Sequence, residues 1–152
     1  MSKLIFRHAH RVTYAECTLG NHIYYARYFE LLEEARGELF RAIGVPLFEL
    51  QNRDTVFPVI EVQARFKLPA RYDELLSIEL NILALEKVRL TFGCRILRQD
   101  GRLVLDATTE HVCASLSEKP KRIPEDLQTA LQPYLLAVEK GEEAASGSKA
   151  AL

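Results

Sequence analysis

Tyr14-Ala-Glu-Cys-Thr-Leu-Gly-Asn-His-Ile-Tyr-Tyr-Ala-Arg-Tyr28 joins a polar, glycine-bearing turn to a long amphipathic run that closes at Gly44. Asn21, after Gly20, is the N-cap candidate, and Ile23, Tyr24, Tyr28, Leu32, Ala35, Leu39 and Ile43 then follow one apolar stripe at helical spacing. Arg27, Glu30, Glu34, Glu38 and Arg41 fall on the opposite side and read as a solvated face. Such a helix buries one stripe against something broad, and a sheet is the expected partner. The first N–H groups of a helix lack intrahelical acceptors and sit at the positive end of its dipole, so this junction is suited to hold a small anionic or carbonyl group.

Outward from the helix the chain reads as strands. Leu4 to Tyr14 is a strand candidate, and Ile60, Val62, Ala64, Phe66 and Leu68 alternate with Glu61, Gln63, Arg65 and Lys67 as a half-buried antiparallel strand. Leu76 to Ile82 and Val88 to Ile96 repeat the alternation, and Asp100-Gly101 is a hairpin turn into a strand from Leu103 to Ser115. Pro120 and Pro124 end the sheet region. A second amphipathic helix is expected from Glu125 to Lys140, kinked or interrupted at Pro133, with a disordered tail over 141–152. Strand, long helix, then a run of short-linked strands is an α+β order: one domain over 1–140, with an antiparallel sheet wrapped around a long central helix.

Composition narrows the function classes. Twenty basic residues against 21 acidic ones, in 152 residues that are 48% apolar, suit one globular domain and carry no nucleic-acid or membrane footprint. The opening Met-Ser-Lys-Leu-Ile-Phe-Arg-His is too short an apolar stretch for a secretory signal and no segment approaches membrane-spanning length, so a cytoplasmic location is expected. Cys17, Cys94 and Cys113 form no C-x-x-C pair. They support neither a disulfide framework nor a zinc knuckle, and Cys94 and Cys113 read as small core residues. His8, His10 and His111 lack partners at metal-ligand spacing and read as structural, so no metal is expected.

Against this background the Tyr14 to Arg36 segment is similar to the 4-hydroxybenzoyl-CoA thioesterase family of the hotdog fold, including its acyl-CoA thioesterases associated with the Tol-Pal system. The family pattern is an aromatic, one residue, Asp-x-Asp, a short glycine-containing turn, a hydrophobic pair, then a helix carrying Tyr and Glu-x-Ala-Arg. Here those places hold Tyr14, Glu16-Cys17-Thr18, Gly20-Asn21, Ile23-Tyr24, Tyr28 and Glu33-Glu34-Ala35-Arg36, and the similarity extends from Leu4 to Pro124. The resemblance implies hydrolysis of an acyl thioester carried on CoA or an acyl-carrier protein, with no cofactor beyond the carrier itself. It also implies a homodimer that continues the sheet, paired further into a homotetramer.

The chain departs from the family at the catalytic position, where the second acid of Asp-x-Asp is replaced by Thr18. A threonine hydroxyl does not ionise near neutral pH without an adjacent base. Glu16 supplies a carboxylate two residues earlier, and turn geometry decides whether it reaches the site. The enediyne polyketide thioesterases, a related hotdog group, carry Asn at this position and implicate a helix arginine in their chemistry; by that resemblance Thr18 orients water or substrate and Arg36 stabilises negative charge. An ion pair with a helix or neighbouring-subunit carboxylate is the structural alternative for Arg36. His22 reads either as a proton acceptor at the positive helix end or as a local turn histidine. The N–H groups of Ile23 and Tyr24 are candidate oxyanion donors. Tyr24, Tyr25, Tyr28 and Phe29 line an acyl pocket or belong to the core, and the 54–58 segment is placed near the acyl group by analogy. Lys119, Lys121 and Arg122 are candidates for the CoA phosphates. The rival readings are a protein that binds acyl thioesters without hydrolysing them and, with less support, a dehydratase or hydratase.

Overall fold

Alternating burial along β5 (Leu75–Leu85), β6 (Arg89–Leu97) and β7 (Leu103–Val112) sends Leu76, Ile78, Leu80, Leu90, Phe92, Cys94 and Ile96 to one face of a curved sheet. With β1 (Phe6–Arg11) and β4 (Val59–Phe66) these strands form a five-stranded antiparallel sheet in the order β1-β5-β6-β7-β4. The computed structural model describes residues 4–136; the expected helix end at 137–140 and the expected disordered tail at 141–152 lie outside the described residues. The helix α1 (Arg27–Ala42) buries Tyr28, Leu31, Leu32, Ala35, Leu39 and Phe40 and packs against β5 and β1. It ends at Gly44, whose φ of +82° suits glycine. This is the hotdog arrangement, and the strand and hairpin expectations for residues 76–112 hold.

The structure adds to or departs from the expected elements at four places. The helix does not begin at an Asn21 cap: Asn21 sits at φ +56° in the turn of a two-stranded hairpin, β2 (Cys17–Thr18) with β3 (His22–Ile23), and α1 starts at Arg27. The Ile23 N–H donates to Ala70 O at 2.8 Å and the Tyr24 N–H to Glu16 O at 3.0 Å, so residues 22–24 are held extended although their apolar spacing continues the helical stripe. Secondly, a short helix α2 (Leu47–Asn52) follows Pro46; with six residues and only Leu50 buried it shows no period to read.

Thirdly, the apolar row of β4 is not half-buried. β4 is the sheet edge, and Val59, Ile60, Val62 and Phe66 remain 41–52% exposed. Fourthly, the terminal helix α3 (Glu125–Leu131) is interrupted at Pro133, one of the two outcomes expected there, so its α-helical part ends before the expected Lys140. A 3-10 turn over Gln132–Tyr134 takes over, because Pro133 has no N–H to continue the α ladder, and Leu136 N–H then donates to Ile82 O at 2.9 Å. On the outer sheet face Arg7, Glu79, Arg95, Asp106 and Arg65 stand in register across all five strands, a row of alternating charge that keeps this face polar.

Candidate functional site

The β2–β3 hairpin is braced by a carboxylate. Glu16 accepts from the Thr13 N–H at 2.7 Å, and both its oxygens lie 2.9 Å from His10 Nε2. Burial raises the Glu16 pKa, but the Thr13 N–H and the His10 ring outweigh it and hold the carboxyl below the ordinary range. The other ring nitrogen of His10 lies 3.1 Å from Glu34 on α1, so the histidine ties hairpin to helix, the structural role expected of it. Glu16 therefore braces the hairpin, with its oxygens engaged by Thr13 and His10.

Thr18 and His22 stand directly opposite each other across the hairpin, which places both side chains on one side of the ribbon. His22 Nδ1 lies 3.1 Å from Ile23 O; a carbonyl only accepts, so Nδ1 carries a hydrogen, and Nε2 has no protein partner among the described residues. The ring packs over Gly20, where an added Cβ would sit 3.3 Å from His22 Cδ2, and Gly20 itself adopts φ +84°. Arg71 closes the turn from below by donating to Gly20 O at 3.0 Å.

The N–H groups without an acceptor lie two residues beyond the pair expected to be free. Ile23 and Tyr24 spend their N–H groups on Ala70 and Glu16, whereas those of Tyr25 and Ala26 have no protein acceptor among the described residues and open α1 at its positive end. Only the strand pairing, which sequence spacing does not report, identifies them. The aromatic cluster divides: Tyr28 is core, while Tyr24, Tyr25 and Phe29 are exposed by 37–58%. The Tyr28 hydroxyl accepts from the buried Ala70 N–H at 3.2 Å, which anchors the same Ala70 that receives Ile23.

Arg36 lies apart from this hairpin, ten residues beyond Ala26 along α1. It lines a cleft of about 400 Å³ between α1, α2 and the sheet, with Glu33, Phe40, Gln51 and His111. The 54–58 segment contributes Thr55, Val56 and Phe57 to the same wall. No ion pair of Arg36 within 4.0 Å occurs among the described residues, so the intrachain version of its structural reading fails. His111, which sequence reasoning set aside, closes the cleft floor: Nδ1 donates to Phe57 O at 3.0 Å and Nε2 accepts from Thr109 Oγ1 at 3.0 Å. Burial pushes its pKa down to about 4.

The basic candidates near the C-terminal end do not converge. Lys121 Nζ donates to Asp54 O at 3.0 Å, whereas Lys119 is exposed and Arg122 borders a separate depression beside α3. Among the described residues no group of three or more His, Cys, Asp or Glu side chains is placed to hold a metal, and no helix is long and apolar enough to cross a membrane.

The family model described as the thioesterase-like superfamily matches residues 12–131. The acyl-CoA thioester hydrolase YbgC of Escherichia coli O6:H1 is 29% identical over 128 residues, which cover 84% of this chain and 96% of that protein. Among solved structures, a hypothetical protein of Thermus thermophilus, TT1821, superposes with a TM-score of 0.79 at 30% identity, covering 84% of this chain and 98% of its own. The hypothetical protein SAV2348 of Staphylococcus aureus, solved in complex with CoA, shares the fold at a TM-score of 0.84 and 19% identity, covering 100% and 98%.

Two stability measurements check this geometry. Tyr28→Phe leaves the buried Ala70 N–H unpaired while keeping the ring, and urea unfolding should show a loss of about 1–3 kcal/mol. His111 binds its proton less readily folded than unfolded, so its contribution is complete above pH 6.5 and is lost as pH falls through about 4, roughly 3 kcal/mol in all. His111→Gln should flatten the slope of stability against pH in that window.

Proposed function

The chain belongs to the thioesterase-like superfamily, and from that premise we propose that it hydrolyses an acyl-CoA thioester at the head of α1. The observation that carries the reading is the hairpin. It pairs Thr18 with a His22 whose Nε2 is free, immediately ahead of two unclaimed backbone donors. In the proposed mechanism the thioester oxygen accepts from the Tyr25 and Ala26 N–H groups, whose bonds strengthen as the oxyanion forms. The Thr18 hydroxyl orients a water molecule, and His22 Nε2 takes its proton as the water oxygen bonds to the carbonyl carbon. Collapse of the tetrahedral intermediate breaks the carbon–sulfur bond, and the proton passes from His22 to the departing thiolate. The products are a carboxylic acid and the free thiol of CoA; an acyl-carrier protein would leave in the same way.

A second reading is favoured by one observation: the family carboxylate is absent at Thr18 and the remaining one, Glu16, is tied to Thr13 and His10. The same cleft would then bind acyl thioesters without turnover. A panel of acyl-CoA and acyl-carrier thioesters, assayed for thiol release, decides between the two, since binding without release from any member leaves only the binder. For a hydrolase, His22→Ala should lower kcat by about 10²–10⁴-fold with the fold intact. Thr18→Asp, which restores a carboxylate opposite His22, should raise kcat by roughly tenfold.

The proposed enzyme is a dimer that works in the cytoplasm. The open edge of β4 and its apolar row are what a second copy would cover by continuing the sheet, and two such dimers would form the tetramer. Sedimentation should find no monomer at micromolar concentration, and Val62→Asp should shift the population toward monomer.

A further inference from the structure

Arg36 is a cation that the reaction above leaves without a partner. It faces the 400 Å³ cleft, and burial lowers its pKa against the opposing pull of Cys94 and Glu33, so the charge sits in a desolvated place. Desolvated guanidinium groups are stable only when an acceptor answers them. Among the described residues no carboxylate lies within 4.0 Å of the Arg36 guanidinium, and the uncharged oxygens of the wall, Thr55 Oγ1 and Gln51 Oε1, do not neutralise it. Both ring nitrogens of His111 are engaged, the Thr55 hydroxyl is given to Arg53 O at 3.0 Å, and burial keeps the Cys94 thiol protonated at about 11. Glu33 shares the cleft but is solvent-exposed and farther than 4.0 Å from the guanidinium. Gln51 lines the cleft as a second side chain with N–H donors.

Position along the helix says what could reach this charge. From Ala26 to Arg36 the helix rises about 15 Å, and a helical side chain leans back toward the N-terminus, so the guanidinium stands closer to the carbonyl donors than its Cα. An acyl group of roughly six to ten atoms, with its carbonyl at Tyr25 and Ala26, spans the remainder. Phe29 and Glu33 lie between the two points at helical spacing.

We propose that Arg36 is a specificity residue that binds a carboxylate at the far end of the acyl group, so that the preferred substrates are ω-carboxyacyl thioesters, not plain alkyl ones. This rests on the thioesterase reading for the position of the carbonyl. A guanidinium matches a carboxylate with two parallel hydrogen bonds, and Gln51 lines the same cleft as a further N–H donor; a methyl end would give the partly buried charge no counter-ion.

The test separates recognition from turnover by using thioethers, which cannot be hydrolysed. S-(5-carboxypentyl)-CoA and S-hexyl-CoA, and the pair two carbons longer, are titrated calorimetrically into the full-length protein. The carboxylate member should bind about tenfold tighter or better in at least one pair. Arg36→Leu should abolish that ratio while the affinity for CoA alone stays unchanged, and Arg36→Lys should keep part of it. Equal binding within both pairs overturns the proposal. So does an Arg36→Leu variant that loses both members equally or falls apart into monomers, which would make Arg36 an intersubunit ion-pair residue. Matched adipoyl- and hexanoyl-CoA assays complete the separation: a binding preference with no thiol release anywhere sinks the hydrolase reading alone, whereas release without preference sinks only this inference.

Discussion

Two backbone hydrogen bonds, Ile23 N–H to Ala70 O and Tyr24 N–H to Glu16 O, decide where the central helix begins, and the site follows from that decision. If residues 22–24 coiled into the helix, Thr18 and His22 would lose their cross-strand pairing and the free donors would move to the hairpin turn. Held extended, the same residues deliver two unclaimed N–H groups at Tyr25 and Ala26 beside an imidazole whose Nε2 has no protein partner among the described residues. The support lies deeper. Tyr28 fixes Ala70 from inside the core, and Glu16 is fixed by Thr13 and His10, so neither acceptor is a mobile loop carbonyl.

What the sequence disclosed and what it hid divide along a physical line. The strands of β5, β6 and β7 were legible because each carries one buried face, and burial writes a period of two into the residues. The Asp100-Gly101 turn was legible because its geometry needs glycine, here at φ +85°. The true start of α1 was not, since Ile23 is buried whether it lies on the helical stripe or in the hairpin, and only the partner strand distinguishes the two. The β4 row misled for a related reason. Ile60, Val62 and Phe66 alternate as a buried face does, but β4 is the sheet edge and nothing in the described chain covers the row, so it stays exposed. In the candidate site the motif named Thr18 and His22 but not their cross-strand pairing, and His111 was read as structural while its partners Phe57 and Thr109, 54 and two residues away, were not legible.

The two ends of α1 are organised on opposite electrostatic principles. At its head, partial positive charge comes from the backbone and costs no desolvation of an ion, which suits a carbonyl that becomes negative only transiently. Further along, Arg36 places a full charge among a neutral imidazole, a neutral thiol and aromatic rings. A permanent cation in such surroundings favours a permanent anion. The same helix thus offers a soft donor where charge develops and a hard one where a ligand would arrive already charged.

The edge strand gives this arrangement its last constraint. Val59 belongs both to the open β4 row and to the wall of the Arg36 cleft, and a bulge between Val59 and Glu61 turns the strand there. Whatever covers the edge therefore also closes one side of the cleft. A second copy pairing along β4 would exclude water from the guanidinium and strengthen its attraction for an acyl carboxylate, because the same charge pair gains more as the local dielectric falls. In such a dimer assembly and substrate selection would be one physical event, the apolar row supplying the association energy and Arg36 reading its consequence.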